Sequence, residues 1–270
     1  MMEREDLPLL IAELERNLWE AWSTFGRGPG CTLHAHGDVV WFETPLPIIP
    51  YNGVLRFQAR EHALTKVSEI VGHFQHRNVP FMWILHPSSQ PPELPHILAD
   101  QGLKDVEPIY GMVRSLSHLP EVPPPAPEVE IRKVAGERDA GAFHQFAAWR
   151  WNIPEQHNAV YAAVVSPFRF GLPGSWAHMW QAWREGSPIA KAGLYLASGS
   201  AGIYAVVTRP EARRLGLARI LTLTALQYAR QAGYGLAVLH STPMAEGLYK
   251  SIGFATHAEF RLFATTEVHI

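Results

Sequence analysis

Tyr204-Ala205-Val206-Val207-Thr208-Arg209-Pro210-Glu211-Ala212-Arg213-Arg214-Leu215-Gly216-Leu217-Ala218-Arg219 is the stretch on which the reading of this chain turns. An apolar strand runs to Thr208, Pro210 stops it, and a loop rich in arginine and glycine opens a helix. Helix starts present unpaired N–H groups and a partial positive charge, so they attract phosphates. Gly216 and Ala218 leave room for a pyrophosphate to approach the backbone. Arg213, Arg214 and Arg219 oppose the helix dipole there by roughly 0.3–1 kcal/mol each when exposed, a sign that a bound polyanion reverses. The plainer alternative is a surface turn whose arginines face solvent.

Outward from this stretch the pattern is regular. Leu217, Ile220, Leu221, Ala225, Tyr228 and Ala229 keep helical spacing to about Ala232, and Gly233 ends the run. A strand at Leu236–Leu239 follows, then a small helix with Leu248-Tyr249, a turn at Gly253-Phe254 and a strand through Arg261-Leu262-Phe263. Upstream, Ile189–Leu196 and Ala201–Thr208 flank Ala197-Ser198-Gly199-Ser200 as a hairpin, with a third strand at Trp176–Trp183. Gly171–Ser175 breaks the chain before it, and helices are expected over Asp139–Trp149 and Gln156–Val164.

The first half carries a similar series: a helix from Glu61 to Arg77, a strand at Phe81–Leu85, a small helix with Leu94, Ile97 and Leu98, the turn Gly102-Leu103, and a strand at Gly111–Leu116. Leu85-His86 corresponds to Leu239-His240, so the halves read as diverged copies of one α/β unit. Five prolines in Leu119–Pro127 form an extended, semi-rigid spacer. The expected organisation is a first domain over 1–118, a linker over 119–128 and a second domain over 129–270.

Arg213-x-x-Gly216-x-Ala218, following a strand and opening a helix, resembles the Arg/Gln-x-x-Gly-x-Gly/Ala signature of the GNAT acetyltransferase superfamily. Leu248-Tyr249-x-x-x-Gly253-Phe254 resembles that family's second hallmark, and the element order agrees over about 129–265. The resemblance implies an α+β fold of two tandem units, each a mixed, mostly antiparallel sheet flanked by helices. It also implies acetyl-CoA as co-substrate. Backbone groups of Val206, Val207 and Thr208 would align the pantetheine arm, and amides from Arg213, Arg214, Leu215, Gly216, Leu217, Ala218 and Arg219 would hold the pyrophosphate. A P-loop is excluded because no Lys-Ser/Thr follows the glycine, and no Gly-x-Gly-x-x-Gly follows a strand. Gly26-Arg27-Gly28-Pro29-Gly30 is a flexible loop.

Acyl transfer to an amine needs a neutral nucleophile and a proton for the leaving thiolate. Tyrosine, with an ordinary pKa near 10, suits the second task. Tyr249 occupies the position where the family commonly places this acid; a core tyrosine is the bland reading. Leu98 stands there in the first copy, and Tyr51-Asn52-Gly53-Val54-Leu55-Arg56 has one arginine and one glycine, so that unit reads as degenerate and non-catalytic. Gly202–Thr208 contains no carboxylate, which leaves the general base open; His240 is the first candidate, with Glu246 weaker and Glu211 facing solvent. Trp149, Trp151, Tyr161, Phe168 and Phe170 suggest a broad apolar wall for the acceptor, or plain core.

With 47% hydrophobic and 18% charged residues the chain can bury a core. Its formal charge of -2 gives no general attraction to nucleic acid or anionic membrane, and its basic residues are scattered. One cysteine, Cys31, excludes an intramolecular disulfide and fits a reducing cytoplasm. The acidic start Met1–Asp6 is no signal peptide. No apolar run approaches the roughly 20 residues that span a bilayer. His34 and His36 share a face if Thr32–His36 is a strand, but no third ligand is identifiable, and His73 and His76 lie on another element, so no metal is expected. The expectation is direct acetyl transfer from acetyl-CoA to a primary amine, small molecule or peptide, in the cytoplasm, with a homodimer left open. A non-catalytic acyl-CoA-binding or sensing module, and a longer acyl donor, are the alternatives.

Overall fold

The computed structural model describes residues 6–197 and 199–265; the acidic start at Met1–Glu5 and Ser198 of the expected hairpin turn lie outside them. In chain order the elements are α1 (Leu7–Ser23), β1 (Thr32–His36), β2 (Val39–Glu43), β3 (Gly53–Phe57), α2 (Ala63–His76), β4 (Met82–Leu85), α3 (Leu94–Asp100), β5 (Lys104–Ser115) and β6 (Glu130–Lys133). They continue with α4 (Gly136–Arg150), α5 (Asn158–Val165), β7 (Ala177–Arg184), β8 (Ser187–Leu196), β9 (Ala201–Thr208), α6 (Leu217–Gln231), β10 (Leu236–Ser241), α7 (Pro243–Ser251) and β11 (Ala255–Ala264). No helix among the described residues is long and apolar enough to cross a membrane.

Two compact units are built from interleaved segments. One takes the chain up to Asn17, Gly111–Asn152 and Phe168–His257; the other takes Leu18–Tyr110, Ile153–Pro167 and the chain from Ala258. Strand order is β5-β10-β9-β8-β7-β6 in the first and β1-β2-β3-β4-β11-β5 in the second. β7, β8 and β9 are antiparallel neighbours, whereas β9 and β10 run parallel, giving the mixed, mostly antiparallel sheet that was expected.

In the first unit α6 buries Leu217, Ile220, Leu221, Ala225 and Ala229. That stripe packs on β7, β8 and β9. Gly233 ends the helix at φ +92, and Tyr234 N–H donates to Ala229 O at 3.1 Å. In the second unit Val67, Ile70, Val71 and Phe74 of α2 close over Phe57, Phe81 and Trp83, with Phe74 stacked on Phe81 at 4.4 Å.

The internal repeat is written in the backbone. Asn78 repeats the left-handed stop of Gly233 at φ +52, and Val79 N–H donates to Phe74 O as Tyr234 does to Ala229. Gly102 and Gly253 take φ +86 and +92, and Leu103 N–H → Leu98 O matches Phe254 N–H → Tyr249 O, both 3.0 Å. Tyr249 and Leu98 are thus true counterparts. The turn comparison needs correction: the residue matching Gly216 is His62, which caps α2 at φ +55 as Gly216 caps α6 at φ +72. Gly53 opens β3 and belongs to the preceding strand. The first copy kept the backbone of the turn and lost its glycine.

β5 begins at Lys104, well before the Gly111 expected.

Candidate active site

Where β9 and β10 part, the first unit opens. Their parallel register runs from Ala201↔Ala237 to Ile203↔Leu239, and no further pair joins them among the described residues. β9 nevertheless continues to Thr208 and β10 to Ser241. The separation has a local cause on the other side of β9. Lys191 pairs with Val207 and Gly193 with Tyr204, so Ala192 alone faces both Ala205 and Val206. This β-bulge puts Ala205 at φ +52, a left-handed conformation that a non-glycine residue adopts at a cost. A bulge bends its strand and sharpens its twist. β9 is buried through Ile203, becomes exposed at Ala205, and stays half-buried over Val206, Val207 and Thr208.

The chain then passes a short turn of 3-10 helix at Pro210–Ala212, anchored by fully buried Ala212, and reaches Arg213, Arg214, Leu215 and Gly216, all exposed. Arg214 (φ +67) and Gly216 (φ +72) are both left-handed. No side chain caps α6, so its first amides are left for an outside acceptor. A Cβ placed on Gly216 would meet nothing within 4 Å: the position looks onto open space. Those features fit an anion seated on the helix start. Arg219 is otherwise engaged, donating to Ser251 O and Oγ at 3.2 Å and tying α6 to the end of α7. Leu217 is buried, which leaves its backbone, not its side chain, to serve the site.

Tyr249 is nearly buried on α7, its ring edge-on to Phe254 at 6.1 Å. Burial pushes its phenol well above the ordinary tyrosine range, so it holds its proton at any working pH. His240, at the end of β10, lies nearly parallel to Tyr204 at 6.1 Å, with both ring nitrogens out of contact with solvent. Burial pulls its imidazole down to about 3, opposed by the charge of Glu15. It is therefore neutral and only weakly basic. Glu246 is paired with Lys250 and accepts from Thr256 at 2.8 Å, and Glu211 is exposed, as the sequence suggested.

From Tyr204 an aromatic series extends across the face opposite α6. Tyr204 stacks on Tyr195 at 5.0 Å, Tyr195 on Phe168 at 5.3 Å, and Phe168 on Phe170 at 5.3 Å, with Trp176 5.5 Å from Tyr195. Of the aromatic residues expected to wall the acceptor, Phe168 and Phe170 join this series. Trp149 lies apart under Arg209 (4.4 Å), Trp151 under Arg150 (4.6 Å), and Tyr161 belongs to the other unit beside Tyr51.

Two features escaped the sequence reading. Glu15 of α1, 4% exposed, belongs to this unit. Its signal was an acidic residue three positions before Leu18 in the apolar stripe Leu10, Leu14, Leu18, Ala21. In the other unit, His34 and His73 converge on Glu43 at 2.9 Å each, with Arg77 at 2.7 Å. The cluster is an ion-pair network, and no group of three or more His, Cys, Asp or Glu among the described residues could hold a metal ion.

Residues 143–254 match the family model described as the acetyltransferase (GNAT) family. No curated protein matches the chain. Among solved structures it is similar to a GCN5-related N-acetyltransferase from Kribbella flavida, with TM-score 0.65 and 19% identity over 94% of this chain and 97% of that one. A GCN5-related N-acetyltransferase from Sphaerobacter thermophilus gives 0.60 and 15% over 100% and 96%. A tandem GNAT protein from the clavulanic acid biosynthesis pathway gives 0.59 and 12% over 99% and 97%. At these identities the likeness is one of fold.

Proposed function

We propose, from the match of residues 143–254 to the model of the GNAT acetyltransferase family, that this chain is an acetyl-CoA-dependent N-acetyltransferase that acetylates a primary amine by direct transfer. The observation that carries the reading is the parting of β9 from β10 beside a helix start with no side-chain cap. An extended pantetheine arm can lie along the freed backbone of Val206, Val207 and Thr208 as an added strand would. The pyrophosphate then meets the amides from Arg213 to Ala218, where its charge offsets the exposed Arg213 and Arg214.

Tyr249 serves the leaving group. Its raised pKa makes full proton loss costly, so it acts as a hydrogen-bond donor that gives up its proton as negative charge builds on sulfur. His240 is the acceptor for the amine proton. The aromatic series from Tyr204 to Phe170 favours an acceptor, small molecule or peptide, with an apolar or aromatic body beside its amine. A binding-only module is the second reading, favoured by the weak basicity of His240.

Calorimetry with acetyl-CoA on the wild type and on Gly216→Glu tests the first reading. Binding that disappears in the variant supports it; a wild type that binds no acetyl-CoA overturns it. Turnover separates the two readings once binding is seen.

A further inference from the structure

We propose that the first copy of the unit carries its own substitute for the cofactor arm: Trp19, His86 and Gln90 fill the strand edge that acetyl-CoA takes in the second copy, so the chain binds one acetyl-CoA. The inference rests on the acetyl-transfer reading above.

β3 and β4 part as β9 and β10 do. Their parallel register is Gly53↔Met82 and Val54↔Trp83, and no further pair joins them among the described residues. β3 nevertheless runs to Phe57 and β4 to Leu85. A bulge again lies at the parting: Val54 pairs with Trp41 and Arg56 with Val40, which leaves Leu55 as the extra residue. Gln58 N–H donates to Asp38 O at 2.9 Å, as Arg209 N–H donates to Ile189 O at 2.8 Å. Phe57 therefore corresponds to Thr208, and strand alternation turns the N–H and C=O of each toward its own parting.

Here the two edges differ. Phe57 N–H donates to His86 Nε2 at 3.4 Å, Phe57 O accepts from Gln90 N–H at 3.0 Å, and Leu55 O accepts from Trp19 Nε1 at 2.9 Å. Along β9, no hydrogen bond among the described residues reaches the backbone of Val206 or Thr208 beyond the ladder with β8. The substitute is also tied down on its own account. His86 is 3% exposed, with the Trp19 ring edge-on at 5.1 Å. With Nε2 accepting from Phe57, the ring proton sits on Nδ1 and goes to Ser88 Oγ at 3.0 Å. Ser88 Oγ accepts from Gln58 Nε2 at 2.8 Å as well, and Ser89 Oγ accepts from His86 N–H at 3.0 Å.

An arm entering this parting would have to break three bonds in order to remake them, so the exchange gains it nothing. Along β9 the same arm meets groups with no such partner among the described residues. The helix start that follows differs too, carrying His62 where the second copy has Gly216.

The test counts acetyl-CoA by calorimetry on the full chain and follows backbone amide exchange by NMR. One acetyl-CoA per chain is expected, and none in Gly216→Glu. Two per chain, or one remaining in Gly216→Glu, overturns the proposal and leaves acetyl transfer standing. Without ligand, the Phe57 and Gln90 amides are expected to exchange slowly and to ignore added acetyl-CoA, whereas the Thr208 amide slows when it is added. His86→Ala should speed Phe57 exchange about tenfold, and His86→Gln, which restores an acceptor, should recover much of the protection. Phe57 exchange indifferent to His86→Ala overturns the substitution. If His86→Ala fails to fold, the wild-type amides decide: a Phe57 amide that gains protection from acetyl-CoA overturns it, and one that does not upholds it. A wild type that binds no acetyl-CoA sinks acetyl transfer and this inference together.

Discussion

Lys191 sits 2% exposed on β8, its ammonium 4.7 Å from the Phe143 ring and 5.9 Å from Phe146, and burial with nearby Arg150 brings its pKa down to about 7. The unfolded chain keeps a lysine near 10.4, so between pH 7 and 10 it binds a proton that the folded chain does not, and stability rises with pH there. Below pH 7 both states are charged and the full penalty stands. Lys191→Met is expected to raise the melting temperature at pH 6, by the equivalent of a few kcal/mol, and to gain far less at pH 10. A gain independent of pH would show that packing alone is at work. Tyr249→Phe is the second residue-scale expectation: acetyl-CoA affinity unchanged, kcat lowered about 10²-fold, fold intact because the ring that meets Phe254 is kept. Equal kcat would remove the phenol from the chemistry. Gly216 and Tyr249 could be picked out of the sequence because a turn glycine and a helix tyrosine at fixed spacing leave a local mark. The left-handed Ala205 could not, since nothing in Val-Val-Thr announces that one residue of β8 will face two of β9.

Elements are joined at Glu43, whose carboxylate on β2 meets His34 of β1 and both His73 and Arg77 at the end of α2. Trp41 stacks flat on His34 at 3.6 Å and edge-on to His73 at 4.9 Å, fixing both rings. Burial raises the Glu43 pKa, yet its three partners outweigh that and hold it below the ordinary value. A lowered carboxylate stabilises the fold above its unfolded pKa, and that contribution is lost as pH falls through the folded value. Glu43→Gln should melt earlier than wild type at pH 7, with the gap closing below about pH 4. A gap that persists in acid would mean the contacts matter and the charge does not. This junction was half legible: the shared face of His34 and His36 followed from strand alternation, but His73 and Glu43 arrive by tertiary pairing. The order α6-β10-α7 was read correctly, and α6 to within a residue at its end, because helical spacing and Gly233 mark it locally. α1 showed only its amphipathic stripe, and its docking at Ser200 and Tyr204, more than 180 positions away, has no local signature.

For the whole molecule, the proline-rich stretch at Leu119–Pro127 contains neither helix nor strand. Yet the unit holding the site also draws on the chain up to Asn17 and on Gly111–Ser115 of β5, which lies beside β10 and is continued by Leu116 N–H donating to Gly235 O at 2.9 Å. A fragment spanning 129–270 lacks both pieces. It leaves one side of β10 unpaired and Tyr204, Ser200 and Gly202 without the helix that covers them. We expect it to give a collapsed, poorly dispersed NMR spectrum and to be cleaved rapidly by protease; a well-dispersed spectrum would show that residues 129–270 fold alone.

β5 passes from one unit to the other between Tyr110 and Gly111, and β11 does so between His257 and Ala258. A ribosome delivers the chain in order, at about 5–20 residues per second. The unit built mainly from Leu18–Tyr110 must wait for Ala258–Ala264 to fill its sheet, and the other is complete only once the chain has reached His257. Neither can finish while the other is still being made. Both therefore close only after β11 has been made, and until then the earlier half is a nascent chain with an unfilled place beside β4, open to chaperones and to a neighbouring copy's β11.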